Sequence, residues 1–306
     1  MRISTNLYFT TLNQRLSDQH SKISELQTQL ATGKKAVTAS MDSEAAMASL
    51  RMNSVIEDQN NYKSTLQNVD GQLRQEESLV SAMHKISDRI KELSIIGASD
   101  TYSAEDKKMI STEVAQYKLQ LLAFANSKDE NDNFFFSGSQ KSTQPYSMAA
   151  DGAVSYQGDE TAIFVDIGAN EKIQVNTIGD EVLANVTRTA ANGSTSKITA
   201  FTMLDDFVTA LNSNDTVNIS RAMAEAESFS EVLLKKQVEL GMSQNSIANR
   251  VDIIDEKTLV YKDLLSNVAD TDYSEAITKL SAQMLALEAA QSTFAKVSQL
   301  TLFDYI

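Results

Sequence analysis

The chain contains no cysteine, so neither a disulfide framework nor a thiolate metal site is open to it. Tryptophan is absent too, and Pro145 is the one proline. Basic residues number 27 against 41 acidic ones, and a formal charge of -14 opposes encounter with nucleic acid or an anionic membrane surface. No run approaches the roughly 18 apolar residues of a membrane span, so membrane insertion is not expected. The segment Met1 to Phe9 lacks an apolar stretch of signal-peptide length, and any export is expected to proceed without a cleavable signal. His20 and His84 are the only histidines, neither has a second ligand at metal-binding spacing, and both read as solvated helix-surface residues. The hydrolase elbow, the phosphate-binding glycine loop and the His-Glu-x-x-His helix are all missing. No catalytic, cofactor-binding or metal-binding residue is therefore nominated.

What the chain does have is heptad spacing. Ile219, Ala226, Leu233, Leu240, Ile247, Ile254, Tyr261 and Val268 recur every seven residues, which predicts a long helix from about Val217 to Val268. A matching ladder of Ala48, Val55, Tyr62, Val69, Met83 and Ile90, flanked by Met52, Leu66, Leu73 and Val80, predicts a rod from about Ser43 to Ile96, roughly 80 Å long at the usual helical rise. Gly241 lies inside the second rod, but the register passes through it unbroken, so one continuous rod is expected. Ser103 to Asp106 has the form of a capping box with Asp in place of Glu, opening a return helix with the stripe Ile110, Val114, Tyr117, Leu121 and Phe124.

Between the rods the helical period disappears. Six of the ten glycines and the lone proline fall between Gly138 and Gly193, and Val154–Tyr156, Thr161–Ile167 and Lys172–Thr177 read as short antiparallel strands. A short helix holding Leu204, Phe207, Val208 and Leu211 follows. From residue 151 to residue 181 seven acids face one base, Lys172, so a solvated outer face is expected, with a surface for a basic partner as the sharper alternative. Asp129, Glu130 and Asp132 read as a solvated turn, and Asp270 and Asp272 as helix caps rather than calcium ligands.

Each end of the chain carries a narrow stripe. Phe9, Leu12, Leu16, Gln19, Ile23, Leu26 and Leu30 alternate by three and four up to Gly33, a helix stop. Ile277, Leu280, Met284, Leu287, Phe294, Val297 and Leu300 do the same after the polar break at Asp270–Ser274. These residues are the candidate assembly interface. The order arm, rod, return helix, insert, rod, arm is nearly palindromic and predicts that the two arms pair. One pair of narrow seams is marginal alone, and a ring of copies would bury more. The alternative is that both arms pack back on the rods.

Several stretches resemble the flagellin superfamily of bacterial flagella. They are Met1-Arg-Ile-Ser-Thr-Asn6, Leu30-Ala-Thr-Gly-Lys34, Asp42-Ser-Glu-Ala-Ala46, Asn133-Phe-Phe-Phe-Ser-Gly-Ser139, Leu240-Gly-Met-Ser-Gln-Asn245, Asp270-Thr-Asp-Tyr-Ser-Glu-Ala276, Ala290-Gln-Ser-Thr-Phe-Ala-Lys-Val297 and Leu302-Phe-Asp-Tyr-Ile306. The short length, the Phe-Ser-Gly before the insert and the tail point within that superfamily to the hook–filament junction subunits. The resemblance implies a mainly α fold with a β-rich insert, an elongated rod bundle with paired N- and C-terminal helices and a small outer β domain. Its parts would be an inner-tube helix over 1–42, rod segments over 43–136 and 201–269, an outer insert over 137–200 and a second inner-tube helix over 270–306. It further implies an extracellular, non-enzymatic axial subunit without cofactors. Such a subunit is exported unfolded by the flagellar type III apparatus with a dedicated chaperone, and assembles as a ring of copies between the first hook-associated junction protein and flagellin. A short flagellin, or a secreted adhesin whose insert binds a ligand, are the alternatives.

Overall fold

The computed structural model describes residues 2–35, 42–168, 171–190 and 193–303. The fold is mainly α with a β-containing insert. Among the described residues, seven helices and six strands follow in the order α1 (Arg2–Thr32), α2 (Ser43–Ala98), α3 (Ala104–Ala125), β1 (Tyr146–Met148), β2 (Val154–Tyr156), β3 (Phe164–Gly168), β4 (Glu171–Gln174), α4 (Gly179–Leu183), β5 (Val186–Thr189), β6 (Thr195–Ile198), α5 (Ala200–Asn212), α6 (Thr216–Ala269) and α7 (Tyr273–Phe303). Of the linker between α1 and α2, residues 36–41 lie outside the described part, as do the last three residues of the Leu302–Ile306 tail. The chain divides into two compact units, one of residues 1–61 with 254–306 and one of residues 62–253.

In the second unit the heptad ladders are the core. Leu66, Val69, Leu73, Val80, Met83 and Ile90 of α2 are buried, as are Ile219, Ala226, Leu233, Leu240 and Ile247 of α6. Tyr62 departs from its ladder: it is 49% exposed, which suits an amphipathic ring whose hydroxyl prefers water. The capping box at Ser103 forms as read, with the Ser103 side chain accepting from the Asp106 N–H and the Asp106 side chain accepting from the Ser103 N–H. On α3, Ile110, Val114 and Leu121 are buried while Tyr117 and Phe124 are half-buried. Lys107 and Lys118 are buried too, because Lys107 reaches Asn214 Oδ1 at 2.7 Å and Lys118 reaches Asp205 Oδ1 and the Gly152 carbonyl. Helix α6 runs through Gly241 without a break. Nothing lies within 4 Å of a Cβ built at Gly71 or Gly241. Gly71→Ala and Gly241→Ala are each expected to raise the unfolding free energy by about 1 kcal/mol, read from urea midpoints.

Among its described residues the insert holds three separate antiparallel strand pairs, β1–β2, β3–β4 and β5–β6. The expected strands at 154–156, 161–167 and 172–177 fall on β2, β3 and β4. The partner of β2, strand β1, the whole β5–β6 hairpin and the helix α4 have no counterpart in the periodicity. The reason is burial: β5 and β6 each turn few side chains inward, so neither alternates. Several acids of the insert have partners, since Glu181 meets Lys236 at 3.2 Å, Asp166 meets Lys172 at 3.4 Å, and Asp159 accepts from the Ser139 N–H. Hydrogen bonds from Ser139 hold the Asp159 carboxyl below the usual carboxylate range, whereas burial pushes Asp180 up.

His84 differs from its surface reading. Its imidazole lies between α2 and α6, with Nδ1 3.3 Å from Asp88 and Nε2 3.0 Å from Ser230 Oγ. Ser230 sits far along the chain, so this pairing leaves no local trace. In the turn after α3, Asp129 accepts from the N–H groups of Asn131 and Asn133, a self-contained Asx turn.

Candidate assembly interface

The first unit is built around the chain ends. Helix α1 stops at Gly33, whose φ of +72° is the left-handed conformation that glycine adopts without steric cost and whose N–H bonds the Gln29 carbonyl at 2.8 Å. A Cβ there would also press on the Tyr273 hydroxyl at 3.0 Å. The chain leaving α1 then pairs with the break before α7: the Thr271 N–H donates to the Gly33 carbonyl and the Lys35 N–H to the Ala269 carbonyl, both at 2.8 Å. Lys34 Nζ meets Asp270 Oδ1 at 2.6 Å, and this hydrogen bond, with one from Ser266, holds the Asp270 carboxyl below its ordinary range. The pair is about half exposed and marks register rather than adding much stability. Asp272 caps α7, accepting from the N–H groups of Ser274 at 2.9 Å and Glu275 at 3.1 Å.

From that closed end α1 and α7 pack against each other as an antiparallel pair. Midway along, Gln19 Nε2 donates to Gln283 Oε1 at 2.7 Å. On α1 the stripe faces inward as spaced: Ile23 is buried, and Leu12, Leu16, Gln19, Leu26 and Leu30 are half-buried. On α7 the inward positions are Ala276, Leu280, Gln283, Leu287, Ala290 and Phe294, again alternating by four and three. The spacing of large apolar residues does not mark Ala276, Gln283 and Ala290, because a small or polar side chain hides the register. Ile277 and Met284 lie one position further round the helix, are both 53% exposed, and sit beside Leu285 at 69%. They form a second apolar strip on α7 that the chain's own α1 leaves uncovered. For Phe9, Val297 and Leu300 only the helical backbone is described, and their side chains lie outside the described residues.

An open groove of about 620 Å³ runs along this pair between His20, Gln27, Met284 and Glu288. It is open to solvent rather than enclosed, and Ile23, Leu285 and Leu287 are among its lining residues. Among the described residues no group of three or more His, Cys, Asp or Glu side chains could hold a metal ion, and no helix is long and apolar enough to cross a membrane.

Residues 3–141 match the family model described as the bacterial flagellin N-terminal helical region. Flagellar hook-associated protein 3 of Salmonella typhimurium is 23% identical over 317 residues, covering 99% of each chain. Among solved structures, flagellar hook-associated protein 3 of Legionella pneumophila aligns with a TM-score of 0.66 at 18% identity, over 71% of this chain and 98% of its own. FlgL of Xanthomonas campestris aligns at 0.61 with 16% identity, over 71% and 99%. The chain is thus similar over residues 3–141 to the bacterial flagellin N-terminal helical region and, from one end to the other, to flagellar hook-associated protein 3.

Proposed function

We propose that this chain is a structural subunit of the bacterial flagellum that joins hook to filament as a ring of copies. The observation that carries the reading is the pairing of the two chain ends: α1 and α7 close one seam between themselves, and a second apolar strip of Ile277, Met284 and Leu285 remains for a neighbour. The full-length similarity to hook-associated protein 3 supports the same role. The neighbours would be sister copies, the first hook-associated protein below and flagellin above, with an export chaperone covering the ends before assembly. The assembly residues would be Leu12, Leu16, Ile23, Leu26 and Leu30 of α1 with Leu280, Leu287 and Phe294 of α7 closing the seam, and with Ile277 and Met284 facing the neighbour. Phe9, Val297 and Leu300 would extend the two stripes. The helices at 1–42 and 270–306 would form the inner tube, the segments 43–136 and 201–269 the rods, and 137–200 the outer insert. The role needs no catalytic residue or cofactor, and its site is extracellular.

Removing residues 1–30 tests the reading. The truncated chain is expected to stay soluble and helical by circular dichroism, while cells carrying it make hooks without filaments and lose motility. Filament assembly with the truncated chain would overturn the proposal. Labelling detached hooks with an antibody separates the rival filament role, since a junction subunit marks one thin band and a flagellin marks the whole fibre.

A further inference from the structure

The α2 ladder that carries Val69 and Met83 has Glu76 midway between them, at the same heptad position. Its side chain is fully buried. The groups that bind it are neutral: Thr177 Oγ1 donates to Oε2 at 2.7 Å and Gln72 Nε2 donates to Oε1 at 3.3 Å. Both tie α2 to the segment between β4 and α4, since Gln72 also donates to the Val175 carbonyl at 3.0 Å. Lys236 of α6 and Lys141 act on the carboxyl only through their field, and Lys236 is already engaged by Glu181 at 3.2 Å and Glu239 at 3.6 Å. The adjoining Glu77 accepts from Gln244 of α6 at 2.8 Å. An ionised carboxyl in such a place loses its hydration and gains only two hydrogen bonds from uncharged donors.

We propose that Glu76 is a proton-operated latch: its neutral carboxyl group fastens the 175–178 segment of the insert to α2, and ionisation loosens that fastening. The Thr177 hydroxyl both donates and accepts, so it serves the protonated acid as well as the carboxylate. Burial agrees, pushing the Glu76 pKa up to about 7 against an ordinary 4.5. Because the folded chain holds this proton more tightly than the unfolded chain, the latch contributes fully below about pH 4.5. Its contribution falls as pH rises toward 7 and is gone above that.

Urea unfolding of the full chain and of Glu76→Gln, from pH 4 to 8, measures the effect. Glutamine keeps the shape and an acceptor for Thr177 but cannot ionise. Between about pH 4.5 and 7 the unfolding constant of the natural chain should grow about tenfold per pH unit relative to the variant. Hydrogen exchange at the 175–177 amides, corrected for intrinsic rate, should accelerate over the same window in the natural chain alone. Parallel pH profiles for the two chains, or an effect on core amides with none at 175–177, would overturn the proposal. If the variant fails to fold, the carboxyl carbon of Glu76 in the natural chain decides by NMR: titration near 7 upholds the latch, and titration below 5 removes it.

Discussion

Glu225→Ala is expected to destabilise the folded chain by about 3–5 kcal/mol, because it strips the shared partner from two arginines in a desolvated site. Glu225 of α6 is 1% exposed. Arg188 of β5 grips it with both arms of a fork, Nε to Oε1 at 2.6 Å and Nη2 to Oε2 at 3.1 Å. Arg221, one helical turn away, brings Nε to 3.1 Å of the same carboxylate, and Asp206 of α5 meets Arg188 Nη2 at 2.6 Å. The cluster therefore holds the β5–β6 hairpin to α5 and α6, helped by the Thr187 N–H donating to Ser228 Oγ at 3.0 Å. Without Glu225 one aspartate is left facing two guanidinium groups. A loss of that size is a large share of a typical domain's total stability of about 5–15 kcal/mol. Urea unfolding checks it, and a change of about 1 kcal/mol or less would show the network to be dispensable.

Gly138→Ala should rank next, at about 2–5 kcal/mol, from left-handed strain and a steric collision acting together. Gly138 has a φ of +71°, and a Cβ there would strike both the side-chain and the backbone oxygen of Asp159. The neighbours cannot retreat, because the Asp159 N–H donates to the Ser137 carbonyl and the Asp159 carbonyl accepts from the Tyr156 hydroxyl at 3.0 Å. The same hydroxyl also bonds the Phe136 carbonyl, fixing the fully buried Phe136 beneath the insert. Gly152→Ala is the control. Its φ of +87° is equally left-handed, but the space around it is open, so only the backbone term of about 1–2 kcal/mol should appear. Thermal unfolding of the two variants side by side separates collision from strain, and equal losses would refute the collision.

Much of the helical architecture was legible in the residue spacing, because an apolar stripe is a local property of a helix. The ladders from Val69 to Ile90 and from Ile219 to Ile254 are buried as spaced, and the stops at Gly33 and before Tyr273 fall where the polar breaks lie. The stripe on α1 was legible for the same reason. On α7 it was only half legible: the inward face includes Ala276, Gln283 and Ala290, whose side chains give little or no hydrophobic signal. The β5–β6 hairpin was not legible, since strands with few inward residues show no alternation.

The sequence by itself determined the long helices and their breaks, because periodicity, caps and glycine act over a few residues and need no distant partner. Only the tertiary structure decided which polar groups go inside. Glu76 depends on Thr177, Glu225 on Arg188, His84 on Ser230 and Lys118 on Asp205, pairs whose members lie far apart along the chain. A buried polar or charged group is tolerated only where its partner arrives, and no spacing rule records that arrival.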